Sequence, residues 1–231
     1  FQTMIQQIDE LINENYSKQL TIKETEFKAL QAQINPHFLY NTLESINWLA
    51  KGNGQTQISR MVEALGFLLR NSISLKQPLI TIEEELNVVS NYVIIQKYRF
   101  EERLDFRMEV DSDISGFYIP KLTLQPLVEN AIHFPLGPKI HPCKISVYSI
   151  VKKDTINLIV EDDGPGMESA FIEKVKRGEV KTRGQGVGLS NINDRIQLAY
   201  GEKYGIKIVS EPNKGTKVII VLPFDKGENH V

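Results

Sequence analysis

The feature that most constrains this chain is a change of hydrophobic period near residue 100. Before it, apolar residues recur at three- and four-residue spacing, in Ile5, Ile8 and Ile12, in Leu20, Phe27, Leu30 and Ile34, and in Leu39, Leu43, Ile46 and Ala50. After it, Leu104, Phe106, Met108 and Val110 alternate with polar residues, as do Ile145 and Val147, and Ile156, Leu158 and Val160, while Val218 to Leu222 is a continuous β-branched run. One period suits a helix face and the other a strand face. Helical spacing returns in Leu122 to Ile132, Glu168 to Lys176 and Leu189 to Ala199, so an all-helical part precedes an α+β part in which helices cover a mixed sheet.

The helical part reads as continuous through residue 34 and beyond, with Lys51-Gly52-Asn53-Gly54 as a turn and a second helix from Ile58 through Met61, Leu65, Leu68 and Leu69. A lone hairpin of two helices buries little apolar surface, so pairing with a second copy into a four-helix bundle is expected. Thr81, with Glu84 at capping-box spacing, opens a third helix that runs to about Phe100. The expected division is a coiled-coil or signalling helix over 1–30, the hairpin over 31–78, a connecting helix over 79–103 and a sandwich over 104–231.

Composition narrows the function classes. The chain has 27 Lys plus Arg against 29 Asp plus Glu, a net charge of -2, so no global basic field attracts nucleic acid. Cys143 is the only cysteine, which excludes an internal disulfide, and His37, His133, His141 and His230 lack zinc-ligand spacing. No run reaches the roughly 18 apolar residues of a membrane span. Phe1 falls within a helical pattern, and a piece of a longer protein is expected.

The residues with most chemical content follow the strand ending at Val160, in Glu161-Asp162-Asp163-Gly164-Pro165-Gly166-Met167. A strand that delivers a carboxylate and then turns on glycines lets backbone approach a flat ligand, and Asp162 can accept a hydrogen bond from an exocyclic amine. Farther on, Gly184-Gln185-Gly186-Val187-Gly188 leads into the helix beginning at Leu189. Free N–H groups at a helix start suit phosphate. This is neither a P-loop nor a dinucleotide fingerprint. Between the two boxes lie Lys174, Lys176, Arg177, Lys181 and Arg183, which read as a cationic lid over a polyphosphate. Upstream, Asn130 on a helix could ligate a hard cation through its carbonyl oxygen, and downstream Gly215-Thr216 precedes the last strand.

In that order, Asn130, Asp162-x-Gly-x-Gly166, Gly184-x-Gly-x-Gly188 and Gly215-Thr216 resemble the N box and three glycine boxes of the GHKL ATP-binding fold. The resemblance implies that Asp162 binds the adenine amino group with Thr216 in support, that Asn130 holds Mg²⁺ on the phosphates of ATP, and that Gly184, Gly186 and Gly188 wrap them. Gly164, Gly166, Leu189, Lys181 and Arg183 belong to the same expected surface. The hydrolysing members carry a glutamate four residues before the N-box asparagine, and here Pro126 occupies that position, which disfavours an ATPase.

A phosphoacceptor candidate lies in Asn35-Pro36-His37-Phe38-Leu39-Tyr40-Asn41. A neutral imidazole nitrogen is nucleophilic near neutral pH, and its phosphoramidate retains transfer potential. At about 100° per residue, His37, Asn41 and Glu44 share one face and Leu39, Leu43, Ile46 and Ala50 the opposite one. Leu30 and Ile34 extrapolate to the histidine's own face, which leaves a packed core histidine as the alternative, unless Pro36 kinks the helix and alters the register.

This string, Glu83-Glu84-Glu85-Leu86, Tyr92 through Phe100 and the nucleotide boxes resemble the YesM and LytS type of bacterial sensor histidine kinase. The resemblance implies autophosphorylation of His37 within a homodimer, transfer to a response-regulator aspartate, and a cytoplasmic position behind missing membrane segments. Phe38 stands where the commoner kinase class has an acid, so Glu44 is the candidate base, and Asn41 is a candidate for orienting water in dephosphorylation. His133 stands near where related sequences have lysine, and either it replaces that lysine at the phosphates or ATP affinity is lower. The alternative is a signalling or dimerisation module with a degenerate nucleotide site.

Overall fold

A computed structural model describes residue 18 and residues 35–73, 77–133, 142–177, 179 and 185–224. Its first described helix, α1 (Pro36–Gly52), starts at the proline, and Asn35 caps it in an extended conformation by accepting the Phe38 N–H at 3.1 Å. This corrects the expectation of helical spacing running unbroken from Ile34 into Leu39. Proline has no N–H to donate and disfavours a helical residue before it, so Asn35-Pro36 is a helix start and not a kink. Apart from residue 18, the expected entering helix from Ile5 to Ile34 lies outside the described residues.

Helix α2 (Thr56–Ile73) folds back along α1 through a turn in which Gly54 has φ +69°. Polar groups fasten the two near the turn. Ser59 Oγ donates to Asn47 Oδ1 at 2.6 Å, Asn47 Nδ2 donates to Glu63 Oε1 at 3.1 Å, and Lys51 Nζ lies 2.7 Å from the same oxygen. Ala50 and Ala64 are buried, whereas Trp48 and Leu49 remain 73% and 68% exposed in the single chain. The hairpin therefore presents an apolar surface that it does not itself cover.

After β1 (Leu79–Thr81), helix α3 (Ile82–Phe100) opens with the capping box its sequence predicts. Glu84 N–H donates to Thr81 Oγ1 at 3.2 Å and Thr81 N–H to Glu84 Oε2 at 2.8 Å. The next glutamate does something else. Glu85 shares the buried face of α3 with Ile82, Val89 and Tyr92 and is 1% exposed. Its carboxylate accepts the N–H groups of Leu122 at 2.6 Å, Thr123 at 3.1 Å and Leu124 at 2.8 Å. These are unpaired donors at the start of α4 (Leu124–His133), so a side chain from another helix caps it. Burial pushes the Glu85 carboxyl upward against the lowering effect of those donors. On the other side of this loop, Arg195 of α6 (Gln185–Tyr200) donates to the carbonyls of Lys121 at 2.5 Å and Leu122 at 2.7 Å.

The main sheet has the order β2-β4-β5-β7-β6, built from β2 (Leu104–Glu109), β4 (Cys143–Val151), β5 (Thr155–Asp162), β6 (Gly205–Glu211) and β7 (Gly215–Pro223). Strands β2 and β4 are parallel and the other pairs antiparallel, while β1 pairs separately with β3 (Tyr118–Pro120). One face packs Ile145, Val147, Ile156, Leu158, Val160, Val218 and Ile220 against Leu127, Val128 and Ile132 of α4 and Leu189, Ile192 and Ile196 of α6. A shorter helix, α5 (Ser169–Lys176), packs beside α6.

Removing the Glu85 acceptor leaves buried donors without partners, so Glu85→Ala should lower unfolding free energy by about 3 kcal/mol or more, and Glu85→Gln by less. Gly215 has φ +90°, and a Cβ there would lie 1.9 Å from Asp162 O. Gly215→Ala should cost at least about 2 kcal/mol. Urea unfolding followed by circular dichroism checks both.

Candidate functional site

Asp162 is the last residue of β5, opposite Ile145 on one side and Thr216 on the other. Its neighbour Asp163 turns the other way and fastens the strand end to β4: Oδ1 accepts Lys144 N–H at 2.8 Å and its own N–H donates to Lys144 O at 3.2 Å. Asp162 Oδ1 in turn accepts Gly164 N–H at 2.9 Å, which closes the turn over the carboxylate. Two residues on, Gly166 has φ +67°, and a Cβ there would stand 1.9 Å from Glu211 O. Glycine is required at this close approach. The turn is seated on the β6–β7 connection by Asn213 N–H donating to Pro165 O at 2.7 Å and Met167 N–H to Ser210 Oγ at 2.8 Å.

These elements enclose a cavity. Leu127, Asn130 and Ala131 line it from α4, Val160 and Asp162 from β5, Pro165, Gly166 and Met167 from the turn, Leu189 from α6, and Thr216 and Val218 from β7. Its walls are apolar, and Asn130, Asp162 and Thr216 bring polar side chains to them. Burial pushes the Asp162 carboxyl up to about 6, opposed by the N–H groups of Gly164 and Thr216 and assisted by the charges of Asp163 and Glu161. A carboxylate so desolvated gains from a ligand that brings its own donor. An apolar slot ending in such an acceptor fits the amino edge of an aromatic base.

The sequence-predicted residues fall into three groups. Asn130, Asp162, Gly166, Leu189 and Thr216 line this cavity together, and Gly164 holds the Asp162 carboxylate. Gly186 and Gly188 lie in the first turn of α6, the helix whose Leu189 reaches the cavity, while Lys181, Arg183 and Gly184 lie outside the described residues. His133, a candidate for the phosphates, does not line the cavity. It ends α4 with Nε2 3.4 Å from the Tyr92 hydroxyl of α3. Pro126 falls near the start of α4, where an N–H would have no partner within the helix.

His37, Asn41 and Glu44 are on α1, and none of them lines the cavity. His37 is exposed in the single chain, contrary to the packed-core alternative, with Asn41 Nδ2 at 3.3 Å from its Nδ1. The spacing of four residues brings that amide to the ring. Glu44 is exposed farther along the helix.

Three residues that sequence reasoning passes over position the site. Glu85 and Arg195 hold the loop before α4, and Ser210 holds Met167 and meets Thr216 at 2.9 Å. A signal existed for Glu85 alone, since its spacing sets it among the apolar residues of α3.

Residues 25–104 match the family model described as histidine kinase, and residues 120–226 match that described as histidine kinase-, DNA gyrase B-, and HSP90-like ATPase. Sensor histidine kinase YesM of Bacillus subtilis is 55% identical over 96% of this chain and 37% of its own length. Sensor protein LytS of Bacillus anthracis is 31% identical over 90% of this chain and 35% of its own. Sensor histidine kinase BtsS of Escherichia coli is 28% identical over 88% and 34%. The chain thus spans little more than a third of the curated relatives it matches. With a helical hairpin carrying the histidine string and an ATPase-type sandwich behind it, the chain belongs to the YesM and LytS type of sensor histidine kinase.

Proposed function

We propose that this chain is the ATP-dependent autokinase region of a two-component sensor, which phosphorylates His37 and passes the phosphoryl group to an aspartate of a response regulator. The observation that carries the reading is the desolvated Asp162 carboxylate, beside Thr216, in an apolar cavity shared with Asn130 and Leu189. That end accepts the amino group of adenine. Asn130 would hold Mg²⁺ through its amide oxygen, and the ion, when bound, offsets charge on the phosphates. The backbone N–H groups of Gly186 and Gly188 at the start of α6 would take phosphate oxygens, and Lys181, Arg183 and Gly184 are assigned to the same surface from the sequence.

His37 supplies the nucleophile: an N–P bond forms as the bond from the γ-phosphorus to the ADP oxygen breaks, and the ring proton leaves to a base or to water. The exposed position of the ring supports this role. Asn41, against the ring, orients it or a water, and Glu44 is the carboxylate assigned as base. The uncovered Trp48 and Leu49 support a homodimer through the hairpin. We assign the chain to the cytoplasmic side of a longer membrane sensor, a reading supported by relatives of which it spans 37% and 35%. No helix among the described residues is long and apolar enough to cross a membrane. The intact Asp162, Gly166 and Thr216 favour this reading over a degenerate module.

Incubation with γ-labelled ATP and Mg²⁺ should leave acid-labile, alkali-stable label on the protein, absent from His37→Gln. Label that survives in that variant refutes the assignment. ATP binding should also follow the Asp162 carboxyl. The carboxylate form accepts the amine, so affinity is flat above about pH 7 and falls toward tenfold per pH unit below about 6. Calorimetric titration of Asp162→Asn, which cannot protonate there, should lose this component of the pH dependence.

A further inference from the structure

We propose that Ser210 is a positioning residue that turns the Thr216 hydroxyl into an obligate acceptor, so that the cavity takes a purine bearing an amino group and rejects one bearing a carbonyl oxygen in its place. The inference rests on the nucleotide reading above and adds how the base is discriminated. Asp162, Thr216 and Ser210 lie opposite one another in the register of β5, β7 and β6. Two residues back, Val160, Val218 and Ile208 form the next row, and Val160 and Val218 line the cavity. A strand's side chains alternate faces, so the polar row shares the cavity's face of the sheet.

The hydroxyl of Ser210 has three neighbours. It accepts Met167 N–H at 2.8 Å, lies 2.8 Å from Gly215 O and 2.9 Å from Thr216 Oγ1. A serine offers one proton and two lone pairs. The Gly215 carbonyl can only accept, so it takes the Ser210 proton. The amide of Met167 can only donate, and the remaining lone pair must then be filled by the Thr216 O–H. With its proton committed to Ser210, Thr216 has only lone pairs left for a ligand. Ionised Asp162 also only accepts. Two acceptors side by side match an exocyclic amino group, which carries two N–H bonds, and repel a carbonyl.

Calorimetry of the 231-residue chain with Mg·ATP and Mg·ITP tests this, since inosine carries a carbonyl oxygen in place of adenosine's amino group, together with a proton on N1. In Ser210→Ala the Thr216 hydroxyl is released to donate, so ATP should weaken about tenfold, the worth of one hydrogen bond, and the ATP-to-ITP affinity ratio should narrow by a similar factor. Ser210→Thr, which keeps the hydroxyl, should retain the wild-type ratio. In a Thr216→Val background, Ser210→Ala should change the ratio by less than about twofold. Loosening of the turn alone weakens both nucleotides equally and leaves the ratio where it was. An unchanged ratio in Ser210→Ala, or equal narrowing with and without the Thr216 hydroxyl, overturns the proposal. A wild-type chain that binds neither nucleotide overturns the nucleotide reading itself.

Discussion

The rest of the molecule depends on how closely the end of β5 approaches the start of β7. Gly215 has no room for a Cβ because Asp162 O is there, and Gly166 has none because Glu211 O is there. Two glycine boxes some fifty residues apart are therefore one packing unit. The turn that begins with Asp162 rests on the hairpin that begins β7, and each glycine exists to admit the other segment's backbone. The result is a carboxylate held at the floor of an apolar slot with Thr216 beside it.

The opposite wall is held by a different device. The loop at Lys121 and Leu122 is gripped by the Glu85 carboxylate from α3 and by the Arg195 guanidinium from α6, and Lys121 Nζ donates to Asn71 O near the end of α2. Helix α4, and with it Asn130, is thereby tied to both α3 and α6. The buried Glu85 carboxyl is tolerated because it accepts three N–H groups that would otherwise be orphaned.

Much of this was legible in the sequence because the signals were local. The switch of period near residue 100, the Thr81 to Glu84 capping box, Asp162-x-Gly-x-Gly166 and Gly215-Thr216 each depend on spacing along one segment. What depended on pairing between distant segments was not. The spacing of Glu85 sets it among the apolar residues of α3, but the N–H groups it caps lie 37 to 39 residues farther on and have no signal in its own segment. Ser210 is an ordinary strand serine until β6 is set against β7. The parallel pairing of β2 with β4 has no short-range signature. Helix α6 starts at Gln185, earlier than Leu189, because glycine propensity in its first turn is overridden by context. The meeting of His133, the last residue of α4, with the Tyr92 hydroxyl of α3 likewise has no signal in its own segment.

The hairpin and the sandwich divide the chemistry between them. The hairpin carries the exposed His37 on a helix whose start is fixed by Asn35-Pro36, and the sandwich holds a slot in which a desolvated carboxylate lies beside Thr216 and Asn130. That carboxylate can be observed directly by an NMR titration of the Asp162 side-chain carboxyl carbon. The account predicts that it titrates near 6 in the free protein and moves down on saturation with Mg·ADP, as a donor takes the burden of desolvation. A midpoint at the ordinary carboxylate value, or one that nucleotide leaves unmoved, would contradict it.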